Sequence, residues 1–261
     1  MRSIQYFKNL KGNVSDKWIS YFEIYDIYFS KFKNKKISLL EVGVQNGGSL
    51  EGWADFFKNA SVIVGSDVDL RCKQLKFKDK RIKLIIGDIN KNDTRKTIID
   101  LAKGFDIIID DGSHKSFDVN STFLYFYPYL KPGGVYLIED LHCSYWKNFG
   151  GGLLENQSSI AFLKLFIDIL NFESWGMAFK KFSSLKFGYA GTKKSISIKT
   201  FRDIESIHFH NSICVIKKGF SPNSIGERTI SGKKALVYPD LPQSGSVFES
   251  ERQKIKNKFF K

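Results

Sequence analysis

One stretch, Ile37 to Asp69 (ISLLEVGVQNGGSLEGWADFFKNASVIVGSDVD), limits the choice of fold more than any other. Ile37, Leu39, Leu40, Val42 and Val44 form a short, nearly continuous apolar run, the pattern of a parallel strand buried on both faces. Gly43, Gly47 and Gly48 break that run. Glycines at such places let the chain turn tightly and leave bare main chain for a ligand to lie against. Ser49 is placed to cap a helix whose Leu50, Trp53, Ala54 and Phe57 recur at helical spacing. A second apolar run, Val62 to Val64, ends in Gly65-Ser66-Asp67-Val68-Asp69. Strand, glycine turn, helix and acid-ended strand make a nucleoside-binding beginning, with Asp67 or Asp69 set to hold a pair of ribose hydroxyls.

The glycine spacing narrows the ligand. A dinucleotide fingerprint reads G-x-G-x-x-G and seats a pyrophosphate on the helix N-terminus. Here the order is Glu41-x-Gly43-x-x-x-Gly47-Gly48, which resembles motif I of class I S-adenosylmethionine (SAM) methyltransferases, whose cofactor has no pyrophosphate.

Strands and helices alternate from there on. Ile82 to Ile86 is closed by Gly87-Asp88 and followed by a helix over Asn92 to Lys103. Phe105 to Ile109 runs into Asp110-Asp111-Gly112-Ser113-His114, and a helix with Phe117, Phe123, Leu124, Phe126 and Leu130 is ended by Lys131-Pro132-Gly133-Gly134. Val135 to Ile138 terminates in Glu139-Asp140-Leu141-His142. Ahead of all this, residues 13 to 33 carry an aromatic stripe after the possible caps Ser15 and Asp16, predicting one helix packed on the sheet. Gly150 to Gly152 predict a mobile loop over the site, Ile160 to Leu170 an amphipathic helix, and Ile204 to Phe209 with Ser212 to Lys217 a terminal hairpin. The expected fold is α/β: a Rossmann-like, doubly wound, mostly parallel seven-stranded sheet with helices on both faces, an N-terminal helix and a polar C-terminal extension. Residues 1–219 would form the enzyme domain, with a helical segment over 1–36 and a cofactor core over 37–140, and residues 220–261 a basic extension.

In such sheets ligands bind beyond the carboxyl ends of the strands. Every acidic cluster just named lies at such an end. Asp111, Glu139 and Asp140 gather three carboxylates, with no lysine or arginine inside those short motifs to neutralise them. Clustered carboxylates repel, so a divalent cation is their natural counterion, and an all-oxygen set favours magnesium, manganese or calcium over zinc. His114 follows Asp111 by three residues, close enough for its imidazole to take a proton from a hydroxyl held there. His142, beside Glu139 and Asp140, is the rival base.

Composition adds bounds. The net charge of +14, with seven cations and no acid between Lys180 and Arg202, suits an anionic partner, either a phosphate-bearing small acceptor or nucleic acid. An N-P-P-Y type amine-methylating motif does not follow the fourth strand, which points away from RNA or DNA as substrate. Cys72, Cys143 and Cys214 are odd in number and widely spaced, so they imply neither a disulfide framework nor a zinc site. The first residues lack the apolar run of a signal peptide, and no apolar run approaches the roughly 20 residues of a membrane span; a cytoplasmic location is expected.

Taken together, Asp16-Lys17-Trp18, E-V-G-V-x-x-G-G-S, D-D-G-S-H, K-P-G-G, I-E-D-L-H-x-S-Y-W and S-I-H-F-x-N-S-I resemble the macrocin O-methyltransferase and cephalosporin hydroxylase-like family over about residues 13 to 218. The resemblance implies a SAM-dependent, metal-assisted sugar O-methyltransferase of an antibiotic or glycan pathway, often oligomeric. It implies magnesium (or manganese) on Asp111, Glu139 and Asp140, and His114 as base. It implies SAM along Glu41, Gly43, Gly47, Ser49, Asp67, Asp69, Asp88 and Asp110. Asp88 then approaches the adenine amine; otherwise it caps the next helix. Asp16-Lys17-Trp18 would lie near the cofactor pocket. A homo-oligomer acting on a sugar or glycan, possibly anionic or nucleotide-linked, is the expectation, and a SAM-dependent RNA methyltransferase using the basic surface is the alternative.

Overall fold

A computed structural model describes residues 1–175, 186–188, 195–227, 229, 231–234 and 236–237. Six α-helices lie among them: α1 (Ser3–Lys8), α2 (Ile19–Phe29), α3 (Gly48–Phe56), α4 (Asn92–Ala102), α5 (Ser116–Phe126) and α6 (Ser159–Leu170). The strands are β1 (Ser38–Val42), β2 (Val62–Asp67), β3 (Ile82–Ile86), β4 (Phe105–Asp110), β5 (Leu130–Ile138), β6 (Lys186–Gly188), β7 (Ser195–Ser197), β8 (Ile204–His210) and β9 (Ile213–Lys218). Seven of them form one sheet in the order β3-β2-β1-β4-β5-β9-β8. The first five strands run parallel, and β9 and β8 close the sheet antiparallel, so the terminal hairpin falls where the sequence puts it.

Side-chain alternation builds a core on each face. Leu39, Ile63, Ile107, Leu137 and Val215 point to one side, where Phe7, Tyr25, Phe29, Trp53 and Phe57 from the N-terminal helices and α3 cover them. Leu40, Val64, Ile108, Tyr136 and Ile216 point to the other, under Ile98 of α4, Phe123 of α5 and Phe166 of α6. A strand buried on both faces cannot alternate polar and apolar residues, which is why β1 reads as an unbroken run. Trp53 is the hub of the first core: its ring meets Phe7 at 4.9 Å and Tyr25 at 5.0 Å, both edge to face. Trp53→Ala should cost about 3–5 kcal/mol of folding stability. Denaturant titration checks this, and a loss under about 1 kcal/mol would mean that the cavity refills.

Several expectations change. α1 is not visible in the sequence pattern. The helix expected over residues 13 to 33 begins only at Ile19, because residues 13–18 are held extended over the start of α3. Gly48 permits this: a Cβ there would lie 2.4 Å from the Asn13 carbonyl oxygen, and its N–H donates to the Val14 carbonyl. Trp18 is 61% exposed and lines the cleft together with Asp16 and Lys17, whereas Ile27, on the stripe, faces out. Lys131-Pro132-Gly133-Gly134 does not end α5, which stops at Phe126; it bulges within β5, where Leu130 pairs with Phe105 and the ladder resumes at Val135 with Ile107. Proline and glycine serve a bulge as well as a helix stop. Gly150–Gly152 is pinned: Gly152 N–H donates to the Ser144 carbonyl, and a Cβ on Gly151 would strike that oxygen at 1.9 Å. The tail KIKNKFFK and most of the basic run from Lys180 lie outside the described residues. Among the described residues no helix is long and apolar enough to cross a membrane.

Candidate active site

A cleft of about 1220 Å³ opens beyond the carboxyl ends of β1, β2, β4 and β5, walled on one side by Val14 to Trp18. Its size exceeds what one drug-sized ligand needs, about 300–1,000 Å³. Gly43, Ser49, Asp67, Asp69, Asp88, Asp110, Asp111, His114, Glu139 and Asp140 all line it; Glu41 and Gly47 do not. The sequence therefore locates the cleft, but several of these residues do different work from that expected.

Gly43, at φ +90°, lies against another chain segment. A Cβ would sit 2.0 Å from the Asp111 carbonyl oxygen, so glycine lets β4 bring its acids up to the β1 turn. Asp67 ties that turn: one carboxylate oxygen accepts from Val44 N–H at 2.8 Å and Gln45 N–H at 3.0 Å, and the other from Asp69 N–H at 2.8 Å. That uses three of roughly four lone-pair positions of a carboxylate. Asp69 is paired with Arg71 instead, whose guanidinium holds the carboxyl down to about 2. Ser49 does not cap α3, because Gly47 holds that position; its hydroxyl donates to Glu41 at 2.8 Å. Glu41 is fully buried beneath the cleft, taking a second bond from Trp53. Asp88 caps its own turn by accepting from Asn90 N–H, while Lys91 holds the N-cap of α4. Two buried floor atoms, Ser66 Oγ and Asp110 Oδ2, have no hydrogen-bond partner among the described residues, and burial pushes the Asp110 carboxyl up to about 8. Unsatisfied buried polar atoms facing a cleft are what a bound polar ligand would satisfy, so the floor fits a cofactor.

At the mouth, one ligand atom each from Asp111, His114 and Asp140 lies within 4.8 Å of the others. His114 Nε2 stands 3.9 Å from Asp111 Oδ1 and 3.5 Å from Asp140 Oδ2, and all three side chains are about a fifth exposed. His114 (φ +56°) and Asp140 (φ +53°) both adopt the left-handed backbone region, which costs of order 1–3 kcal/mol for a non-glycine residue and gathers at functional sites. Tyr21 and Tyr25, one turn apart on α2, orient the acids: Tyr21 donates to Asp140 at 2.5 Å and Tyr25 to Glu139 at 2.7 Å. His142 Nδ1 lies 2.5 Å from Ser212 Oγ and 3.9 Å from Asp140 Oδ1, with its ring edge-on to Trp18 and Trp146.

No cation lies inside the acidic motifs, but one reaches them from a distant part of the chain. Lys17 arrives from the extended segment before α2, and its buried ammonium lies 2.5 Å from Asp111, 3.0 Å from Glu139 and 3.4 Å from Glu41. Burial alone would lower the Lys17 pKa, but Glu139, Tyr25, Asp111 and Glu41 outweigh it and hold the amine protonated. Glu139 thus faces Lys17 and Tyr25, while Asp111, His114 and Asp140 face one another. Three carboxylates share one ammonium and a fourth, Asp140, stands beside His114, a carboxylate cluster that a divalent cation fits. Sequence reasoning noticed Asp16-Lys17-Trp18 but missed the ammonium's destination and the tyrosine pair; only the i, i+4 spacing of Tyr21 and Tyr25 hinted at the latter.

No family model matches the chain. The demethylmacrocin O-methyltransferase of Streptomyces fradiae is 30% identical over 205 residues, covering 75% of this chain and 47% of that protein. The 8-demethyl-8-alpha-L-rhamnosyl tetracenomycin-C 2'-O-methyltransferase of Streptomyces olivaceus is 28% identical over 214 residues, 78% of this chain and 52% of that protein. The chain spans about half the length of the curated relatives it matches. Among solved structures, the MycE methyltransferase from the mycinamycin biosynthetic pathway, in complex with Mg and SAH, superposes with a TM-score of 0.65 at 28% identity, over 83% of this chain and 53% of that one. A second structure of MycE, with Mg, SAH and mycinamycin VI, gives 0.64 at 27% identity, over 83% of this chain and 53% of that one. In sequence and in fold, the chain is similar to the macrocin, tetracenomycin and mycinamicin O-methyltransferases over about half of their length.

Proposed function

We propose that the chain transfers a methyl group from SAM to a hydroxyl of a sugar or glycan, with magnesium or manganese at Asp111, Glu139 and Asp140 and His114 as general base. The observation that carries this reading is the convergence of two carboxylates and an imidazole at the mouth of a cleft whose floor holds unsatisfied polar atoms. The named relatives act on sugar-bearing compounds, and MycE was solved with Mg and SAH, which supports the cofactor pair.

When bound, SAM supplies the methyl group and the cation supplies positive charge that makes an acceptor hydroxyl easier to deprotonate. Asp67 holds the turn against which the cofactor lies, and Ser66 and Asp110 offer it their free polar atoms. With SAM bound, His114 Nε2 would take the hydroxyl proton while the methyl group passed from the sulfonium sulfur to the acceptor oxygen and SAH left, and Asp111 and Asp140 would stabilise the resulting imidazolium. His114 is assigned the proton and not coordination because Glu139 completes an all-oxygen set suited to magnesium. Trp18 and Trp146, both half exposed or more and fixed edge-on to His142 beside Asp140, offer flat rings to the apolar face of a sugar. The charge of +14 favours an anionic or nucleotide-linked acceptor, whose one or two phosphates would bind with shallow salt dependence, whereas RNA binding would fall steeply.

Cofactor binding is testable without an acceptor. Asp67→Ala unties the turn by removing hydrogen bonds worth about 1.5–3 kcal/mol each, so SAH affinity should fall at least about tenfold. Calorimetric titration reads this; unchanged affinity in a folded variant would remove Asp67 from the cofactor site. A screen of rhamnosides, nucleotide-linked sugars and oligosaccharides with labelled SAM tests the acceptor class, and transfer to RNA alone would overturn it.

A further inference from the structure

Lys17 is unusual in the fold: a lysine with only 4% of its side chain exposed, carried on an extended segment, reaching 94 residues along the chain to Asp111 and 122 to Glu139. Both oxygens of Glu139 are engaged, one by Tyr25 and the other by Lys17, and Lys17 also takes Asp111 Oδ2. What faces His114 is the remainder, Asp111 Oδ1 and Asp140 Oδ2. An ammonium and a divalent ion cannot both sit on Glu139 Oε2 without strong like-charge repulsion in this dry setting. We propose that Lys17 is the built-in counterion of the cation site: it holds Asp111 and Glu139 together when no divalent ion is bound and gives up Glu139 when one binds. The inference rests on the metal assignment made above.

Two features support it. With Lys17 removed, Glu41 and Glu139 would be buried carboxylates without a cationic partner, a strongly destabilising arrangement, so the ammonium accounts for how the cation-free protein stays folded. The segment that carries Lys17 is anchored apart from it, by Asn13 N–H on Glu51 and Gly48 N–H on the Val14 carbonyl, so the four-carbon side chain can leave Glu139 while its backbone stays. The same segment walls the cleft from Val14 to Trp18, which places the exchange beside the cofactor.

The test uses the full chain, stripped with chelator, and Mn²⁺ as probe, its binding followed by calorimetry and by the paramagnetic resonance of free Mn²⁺. Lys17→Met should bind Mn²⁺ at least about tenfold more tightly than wild type, because a competing cation is gone. Lys17→Arg, which keeps the charge, should show no such gain. The unfolding temperature of Lys17→Met in chelator should fall, and Mn²⁺ should restore it. If Lys17→Met fails to fold, the double variant Lys17→Met/Glu41→Gln removes one buried charge of each sign and carries the same affinity test. Unchanged or weaker Mn²⁺ binding in a folded variant overturns the counterion role and leaves the cation site standing on wild-type binding. Absence of Mn²⁺ binding in wild type and variants alike overturns both.

Discussion

Replacing His114 with alanine should lower kcat by about 10²–10⁴-fold, the range a positioned base contributes. Folding, SAH affinity and Mn²⁺ binding should survive, because the imidazole of His114 stands 3.5 and 3.9 Å from its two carboxylate partners and, among the described residues, no hydrogen bond of its side chain ties the cleft together. The strained backbone at His114 adds a control: His114→Gly relieves the left-handed conformation and should match the alanine variant in activity while unfolding no more easily. His142→Ala should cost far less, since that ring is bound to Ser212. Near-normal turnover in the His114 variant beside an inactive, folded His142 variant would move the role to His142.

The second large effect concerns the carboxylates. Chelation of divalent ions should abolish turnover and magnesium restore it, with SAH binding largely kept, because Ser66 and Asp110 of the cofactor floor are not among the candidate cation ligands. Asp111→Asn and Asp140→Asn should each lose turnover by at least about 10²-fold, since each removes a charged ligand and a partner of the imidazolium together. Tyr21→Phe gives the comparison in which the orientation of Asp140 is lost and its charge retained. Full turnover in chelator would remove the cation from the reaction.

The sheet and its acid-tipped strands were legible because burial on both faces leaves a local, continuous apolar signal, as in Ile107 to Ile109 and Leu137 to Ile138. What the sequence did not disclose depends on contacts between distant segments. Residues 13–18 end in Trp18, the first ring of the helical aromatic stripe, yet they stay extended because Gly48, some thirty residues on, has no side chain to keep them off. Lys17 lies far in sequence from the acids it joins, so spacing within the acidic motifs could not announce it. Glu41 sits in the glycine motif, but its direction on β1 turns it under the cleft toward Ser49 and Trp53. Asp67 illustrates a mixed outcome: the acid lines the cleft as expected, while most of its bonding capacity holds the Val44–Gln45 turn.

The central claim is methylation of a sugar oxygen that depends on both His114 and a divalent cation. The most direct measurement supplies SAM carrying a ¹³C-labelled methyl group, a panel of rhamnosyl and nucleotide-linked sugar acceptors and magnesium, and follows the label by nuclear magnetic resonance. The account predicts a new methyl-ether carbon on a sugar, absent in chelator and absent with His114→Ala. A label that appears on nitrogen, or a methyl ether that forms equally well without the cation and without His114, would contradict it.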